Sequence, residues 1–180
     1  MKLFKNNRKL IALILCGFAF RFILSFFGTV QLDQSSFIAW GNSLVNEGYK
    51  SFYNSWSDYL PGYLYFLWAL AKFAPSVIIP ESVLYKLPAI ISDLATGILI
   101  YKILLKSKGE KWGIVGAALY VFNPAIFANS ALWGQVDSLT SFFSLFAIYL
   151  FPINYWLSAI SLSIGTLIKP QAAFIFPVIV

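Results

Sequence analysis

A carboxylate, an amide and a hydroxyl crowd into six residues, Trp133-Gly134-Gln135-Val136-Asp137-Ser138, between two long apolar runs. In a chain that is 59% hydrophobic, such a break marks a place where something polar is handled. Gly134 lets backbone approach a ligand, and Trp133 offers an amphipathic surface suited to a sugar face or a lipid headgroup. Further polar residues stand at other breaks: Asp33, Asp58, Lys169 and Gln171. The chain has no His and a single Cys, Cys16, inside the first apolar run, where an inert buried thiol is expected. Nucleophile triads, His/Cys zinc sites and internal disulfides are thereby excluded, and no Gly-rich phosphate loop or G-x-S-x-G is present. The remaining carboxylate, amide and lysine set suits proton abstraction from a hydroxyl and stabilisation of a departing phosphate.

Each of these residues also has a plainer role. Asp33, Asp58 and Asp137 all stand where a helix is expected to begin, so each could cap it or favour its dipole. Lys169 could be an interfacial lysine that snorkels, or a point charge for phosphate. Arg21 and Asp93 lie within apolar runs and are costly unless paired. They could pair with each other, Asp93 could pair with Lys86, or Arg21 could reach outward to a phosphate.

The elements that position these groups are helices in a membrane. Charged residues make up 11% of the chain and mean hydropathy is +0.76, whereas soluble domains carry about 25% charged residues. Lipid leaves exposed backbone groups unsatisfied, so all-α spans are expected. Six Trp and ten Tyr fit interfacial belts. The net charge of +6 gathers at the flanks of apolar runs, at Lys2–Lys9 and at 102–111, as the positive-inside rule requires, and is no nucleic-acid signature. The basic start and first apolar run resemble a signal peptide, but the run is long and lacks a small-residue cleavage site; it reads as a retained span. The chain stops inside an apolar run, which suggests the N-terminal part of a longer protein.

Apolar segments fall at 10–27, 59–74, 83–105, 112–127, 139–151, 155–168 and from 172 onward, in one transmembrane domain covering residues 1–180. Within the first loop, 28–60, Phe37, Trp40, Leu44 and Val45 recur at helical spacing with Gln34, Asn42, Ser43, Asn46 and Glu47 on other faces. That predicts an amphipathic interfacial helix ended by Gly48. Counting crossings from a cytoplasmic N-terminus puts 28–60 outside and the loop 106–111 inside. Only an odd number of spans can join them, so 59–74, bracketed by Pro61 and Pro75, is expected to be re-entrant. The competing topology has it cross. In the preferred one, Asp33, Asp58, Gln135, Asp137, Lys169 and Gln171 share the outer face.

The order of these features resembles the N-terminal half of integral membrane glycosyltransferases of the GT-C superfamily, the polyprenyl-phosphate-sugar-dependent mannosyl- and glucosyltransferases. The resemblance covers the whole chain. It rests on Asp33 after the first span, Ser57-Asp58-Tyr59-Leu60-Pro61-Gly62-Tyr63, Lys86-Leu87-Pro88 with Asp93, Asn123-Pro124 leading to Trp133–Ser138, and Lys169-Pro170-Gln171. It implies a GT-C-like polytopic bundle in the plasma membrane, with an extracytoplasmic site transferring a hexose, with inversion, from a polyprenyl-phosphate donor to a hydroxyl of a glycan, lipid or protein acceptor. Asp33 would be the base; Asp58, Gln135 and Asp137 would position sugars or support it; Trp133 and Gln171 would line the substrate; Lys169, with Arg21, would hold the lipid phosphate. The first loop lacks an Asp-x-Asp or Glu-Asp pair, so no metal or other cofactor is expected, although some members use a divalent cation and three outer carboxylates could hold one. The rival class is a transporter or lipid-handling protein without chemistry, which would place its charges nearer the midplane.

Overall fold

The computed structural model describes residues 8–54, 57 and 59–179, and among these the chain is helical with no strand. Helix α1 (Arg8–Leu24) is followed by α2 (Gln31–Asn46), the short α3 (Tyr49–Phe52), α4 (Pro61–Phe73), a 3-10 turn at Ala74–Ser76, α5 (Glu81–Leu84) and α6 (Leu87–Lys108). After Gly109 come α7 (Glu110–Val121), α8 (Pro124–Phe127), a π-helical stretch (Ala128–Trp133), α9 (Asp137–Leu150) and α10 (Tyr155–Ile168). A 3-10 segment (Pro170–Ile175) and α11 (Phe176–Ile179) complete the described chain. Among the described residues Glu81–Lys108 is the one helix long and apolar enough to cross a membrane. Glu110–Val121 and Pro124–Trp133 would together make a second, bent by 46°. Helices α9 and α10 are apolar, but at 14 residues each they reach only ~21 Å, short of a hydrocarbon core of about 30 Å.

The helix expected in the first loop is present, and its register explains its packing. Gln34, Phe37, Trp40, Gly41 and Leu44 form its buried stripe and lie against α4. Gln34 is thus on the apolar face, not on the polar one where the sequence reading put it. Pro61 starts α4 as its first residue, where a missing N–H costs nothing. The 13 residues of α4 span only ~20 Å. The stretch 129–133, which falls between the apolar runs 112–127 and 139–151, is helical. Asn123 accepts a hydrogen bond from the backbone N–H of Ala125 at 2.9 Å, and Pro124 opens a new helix. The chain therefore stays helical through Trp133, and the polar break shrinks to Gly134–Val136.

Three pairings hold the bundle: α6 with α7, α9 with α10, and α2 with α4, while α6 also meets α1 and α9. Phe37, Trp40, Tyr63, Leu67, Tyr85 and Leu139 anchor the largest core. Arg21 donates from Nε to Asp93 Oδ2 at 3.3 Å, with both side chains fully buried, which ties α1 to α6. Of the two pairings open to Asp93 in the sequence, the one with Arg21 forms. Lys86 goes elsewhere: its Nζ donates to the carbonyls of Ser25, at 2.9 Å, and Gly28, just past the end of α1. Cys16, expected buried, is exposed on the outer side of α1.

Candidate functional site

The N-termini of α2, α4 and α9 converge with the C-terminal ends of α1 and α10. The partial positive charge at helix N-termini makes this end favourable for carboxylates and anions. At Gly62, in the first turn of α4, a Cβ would stand 2.6 Å from the carbonyl of Leu167, so only glycine lets α4 and α10 approach this closely. That approach brings Tyr59 to Lys169, whose Nζ lies 5.6 Å from the ring centroid.

Asp33 does not cap its own helix. The N-cap position of α2 is Val30, without a side-chain hydrogen bond. Instead Asp33 Oδ2 accepts from Trp133 Nε1 and from Gln135 Nε2, each at 2.6 Å. Two N–H donors on one oxygen fix the carboxylate, and among the described residues Oδ1 takes no hydrogen bond. Asp33 is half-buried and Trp133 is exposed, so the indole leaves a face free beside the carboxylate.

The backbone that places Trp133 and Gln135 turns at Gly134, where φ is +87° and ψ is 26°. The Gly134 carbonyl accepts from Gln34 Nε2 at 3.3 Å, so adjacent residues of α2 grip the same tripeptide. Lys86 passes beneath it, its Cγ 3.1 Å from where a Gly134 Cβ would be.

Asp137 is the second carboxylate. It opens α9, but Val136 holds the N-cap position without a side-chain bond. Its Oδ1 accepts from Lys169 Nζ at 2.5 Å and its Oδ2 from Asn129 Nδ2 at 3.3 Å. Lys169 lines a cavity of about 200 Å³ together with Tyr59, Leu60, Ile168, Pro170 and Gln171.

The structure thus joins Asp33, Trp133 and Gln135 in one cluster and Asp137, Lys169 and Gln171 in a second, linked by the short segment 134–136. Arg21 stands apart: it is fully buried against Asp93. Asp58 lies outside the described residues. Gln34, Asn129, Tyr59 and Lys86 belong to the constellation although sequence reasoning gave them no place in it. The spacing 34, 37, 41, 44 carried the signal for Gln34; Tyr59 and Lys86 stand within quoted motifs without a role assigned to them, and Asn129 lies between Asn123-Pro124 and Trp133.

Among the described residues no group of three or more His, Cys, Asp or Glu could hold a metal ion. Nor do Asp33 and Asp137 fit a divalent cation, since one carboxylate is engaged by two N–H donors and the other by an ammonium. Comparison of the chain with protein families, curated proteins and solved structures finds no match.

Proposed function

We propose that this protein is a multi-spanning membrane glycosyltransferase of the GT-C type, moving a hexose from a polyprenyl-phosphate carrier to an acceptor hydroxyl on the extracytoplasmic face, with inversion. The observation that carries the reading is Asp33, a carboxylate clamped through one oxygen by Trp133 and Gln135 while its other oxygen takes no described partner. Held so, Oδ1 receives the acceptor proton as the hydroxyl oxygen attacks the anomeric carbon. The bond from that carbon to the phosphate oxygen breaks on the opposite side, which inverts the centre. The departing phosphate gains charge, and Lys169, beside the 200 Å³ cavity, offsets it. No metal takes part in this scheme.

Two features support a lipid-borne donor. Large apolar side chains cover exposed surface on α1 and α10, among them Leu15, Ile23, Tyr155, Trp156 and Ile160, as a lipid-facing surface would have it. An apolar groove of about 620 Å³ runs along α10, lined by Phe151, Tyr155, Leu162, Leu167 and Phe176, and Leu167 is two residues from Lys169. A carrier phosphate at Lys169 could lay its isoprene chain there. One observation favours the rival transporter reading: Arg21–Asp93 is an ion pair sealed between α1 and α6, the kind of buried charge that transporters use.

The test is transfer from radiolabelled polyprenyl-phosphate-mannose or -glucose to a panel of glycan, lipid and peptide acceptors, with EDTA in a parallel reaction. Asp33→Asn should abolish transfer while leaving insertion and donor binding intact. Wild-type-like turnover in that variant removes Asp33 as the base, and turnover lost with EDTA removes the metal-free scheme. Donor movement across vesicles without transfer to any acceptor selects the transporter.

A further inference from the structure

The Asp137–Lys169 pair separates two cavities. One is the space beside Tyr59 and Gln171 described above. The other, of about 210 Å³, lies on the far side of Asp137 and presents Tyr120, Asn129, Ser138 and Ser141 as its other polar walls. Its floor is apolar, formed by Ala125 and Ile126. No lysine or arginine lines it, so it is not built for phosphate. Nor does it suit a cation, because Asp137 is its sole carboxylate and is already neutralised by Lys169.

What the walls do suit is a neutral group carrying several hydroxyls. Asp137 and the Asn129 carbonyl accept, the Asn129 amide donates, and the exposed Ser141 hydroxyl does either, while Tyr120 and Ser138 also face the buried Asp93 carboxylate behind them. The apolar floor matches the C–H face of a sugar ring. The volume is that of about seven waters at ~30 Å³ each, room for one ring. We propose that this cavity is the subsite for the hexose of the lipid-linked donor, with Asn129 and Ser141 among its contacts. The proposal rests on the glycosyltransferase reading above and deepens it: phosphate and sugar of one ligand lie on opposite sides of the Asp137–Lys169 pair. As the phosphate draws the Lys169 ammonium toward itself, Asp137 Oδ1 is released to accept from a sugar hydroxyl. Sugar and phosphate therefore bind with positive coupling through one carboxylate.

Cysteine protection tests this on the intact protein. Cys16 is the sole cysteine of residues 1–180, so Cys16→Ser clears this region of thiols, and the protein carrying Cys16→Ser alone sets the background alkylation. Ser141 is exposed, and Ser141→Cys changes one atom at the cavity wall. Polyprenyl-phosphate-hexose should slow its alkylation several-fold, whereas polyprenyl phosphate without sugar should not; Ile78→Cys, on a fully exposed side chain, should be unaffected by either. Asn129→Leu should weaken binding of the sugar-bearing lipid by about tenfold, one hydrogen bond's worth, and leave the sugarless lipid unchanged. Equal protection by both lipids, or donor binding without protection, overturns the subsite while leaving the donor reading standing. If neither lipid binds, the donor reading falls, and methyl hexosides decide the cavity: protection at Ser141→Cys keeps it as a sugar site, and none removes it.

Discussion

Replacing Gly134 by alanine should damage both the fold and the site, and the two costs can be separated. Gly134 sits at φ +87°, in the left-handed region, where a side chain costs ~1–2 kcal/mol. The new Cβ would stand 2.1 Å from Gln34 Nε2, so the amide must leave. Its hydrogen bond to the Gly134 carbonyl is then lost within a buried setting, at a further ~1–3 kcal/mol. The sum is about 2–5 kcal/mol, and since ~1.4 kcal/mol is tenfold in an equilibrium constant, the loss exceeds an order of magnitude. In a Gln34→Ala background that hydrogen bond is already gone and the collision with it, so the same substitution adds only the backbone strain. The double variant should therefore be less damaged than the sum of the singles by ~0.5–3 kcal/mol. Gly134→Asn, which tolerates the left-handed region but collides with Gln34 all the same, should be less damaging than Gly134→Ala. Denaturation followed by the fluorescence of the six tryptophans reads stability, and transfer from the lipid-linked sugar reads function. A Gly134→Ala protein within ~0.5 kcal/mol of wild type would refute the strain-plus-collision account, since surface changes of no consequence fall in that range. Strict additivity with Gln34→Ala would refute the role of Gln34.

Lys169→Ala should weaken binding of polyprenyl phosphate by roughly 10- to 100-fold, the worth of a hydrogen bond to a charged group, with little effect on a neutral acceptor. An unchanged apparent donor affinity would take Lys169 away from the phosphate. Asp93→Leu alone should cost ~3–5 kcal/mol because it strands a buried guanidinium. Arg21→Met combined with Asp93→Leu should return stability to wild type or above it, and chemical denaturation of the three proteins checks the pattern. A double variant as weak as Asp93→Leu would mean that the pair is not what makes these positions costly.

Much of the helical order was legible because apolar spacing and punctuation agree. The stripe Phe37, Trp40, Leu44 names the buried face of α2, and Pro61 marks where α4 starts. The boundary at 129–138 was not legible, because Asn129 and Ser130 read as loop residues while Asn123-Pro124 restarts a helix that carries them through Trp133. The site was legible as a set of residue types near one end of the bundle. The partnerships were not. Asp33 and Asp137 each stand in the first turn of a helix, where capping is the ordinary expectation, and only the approach of chain segments about a hundred residues apart engages Asp33 with Trp133 and Gln135. Arg21 shows the converse, since its depth in the first apolar run left a reach toward phosphate open until its pairing with Asp93 closed it.

The long sequence separations in these contacts set an order on biogenesis. Arg21 meets Asp93 72 residues later in the chain, and Lys86 returns 61 and 58 residues to the end of α1. At ~5–20 residues per second, the 72 residues correspond to about 4–14 s between the synthesis of Arg21 and that of its counterion. During that interval, on the membrane reading, α1 carries an uncompensated guanidinium in its last turn, at a cost below the ~2.5–3.5 kcal/mol of a helix centre. The first helix therefore has reason to wait beside the insertion machinery until α6 is made, and to enter the lipid as its partner.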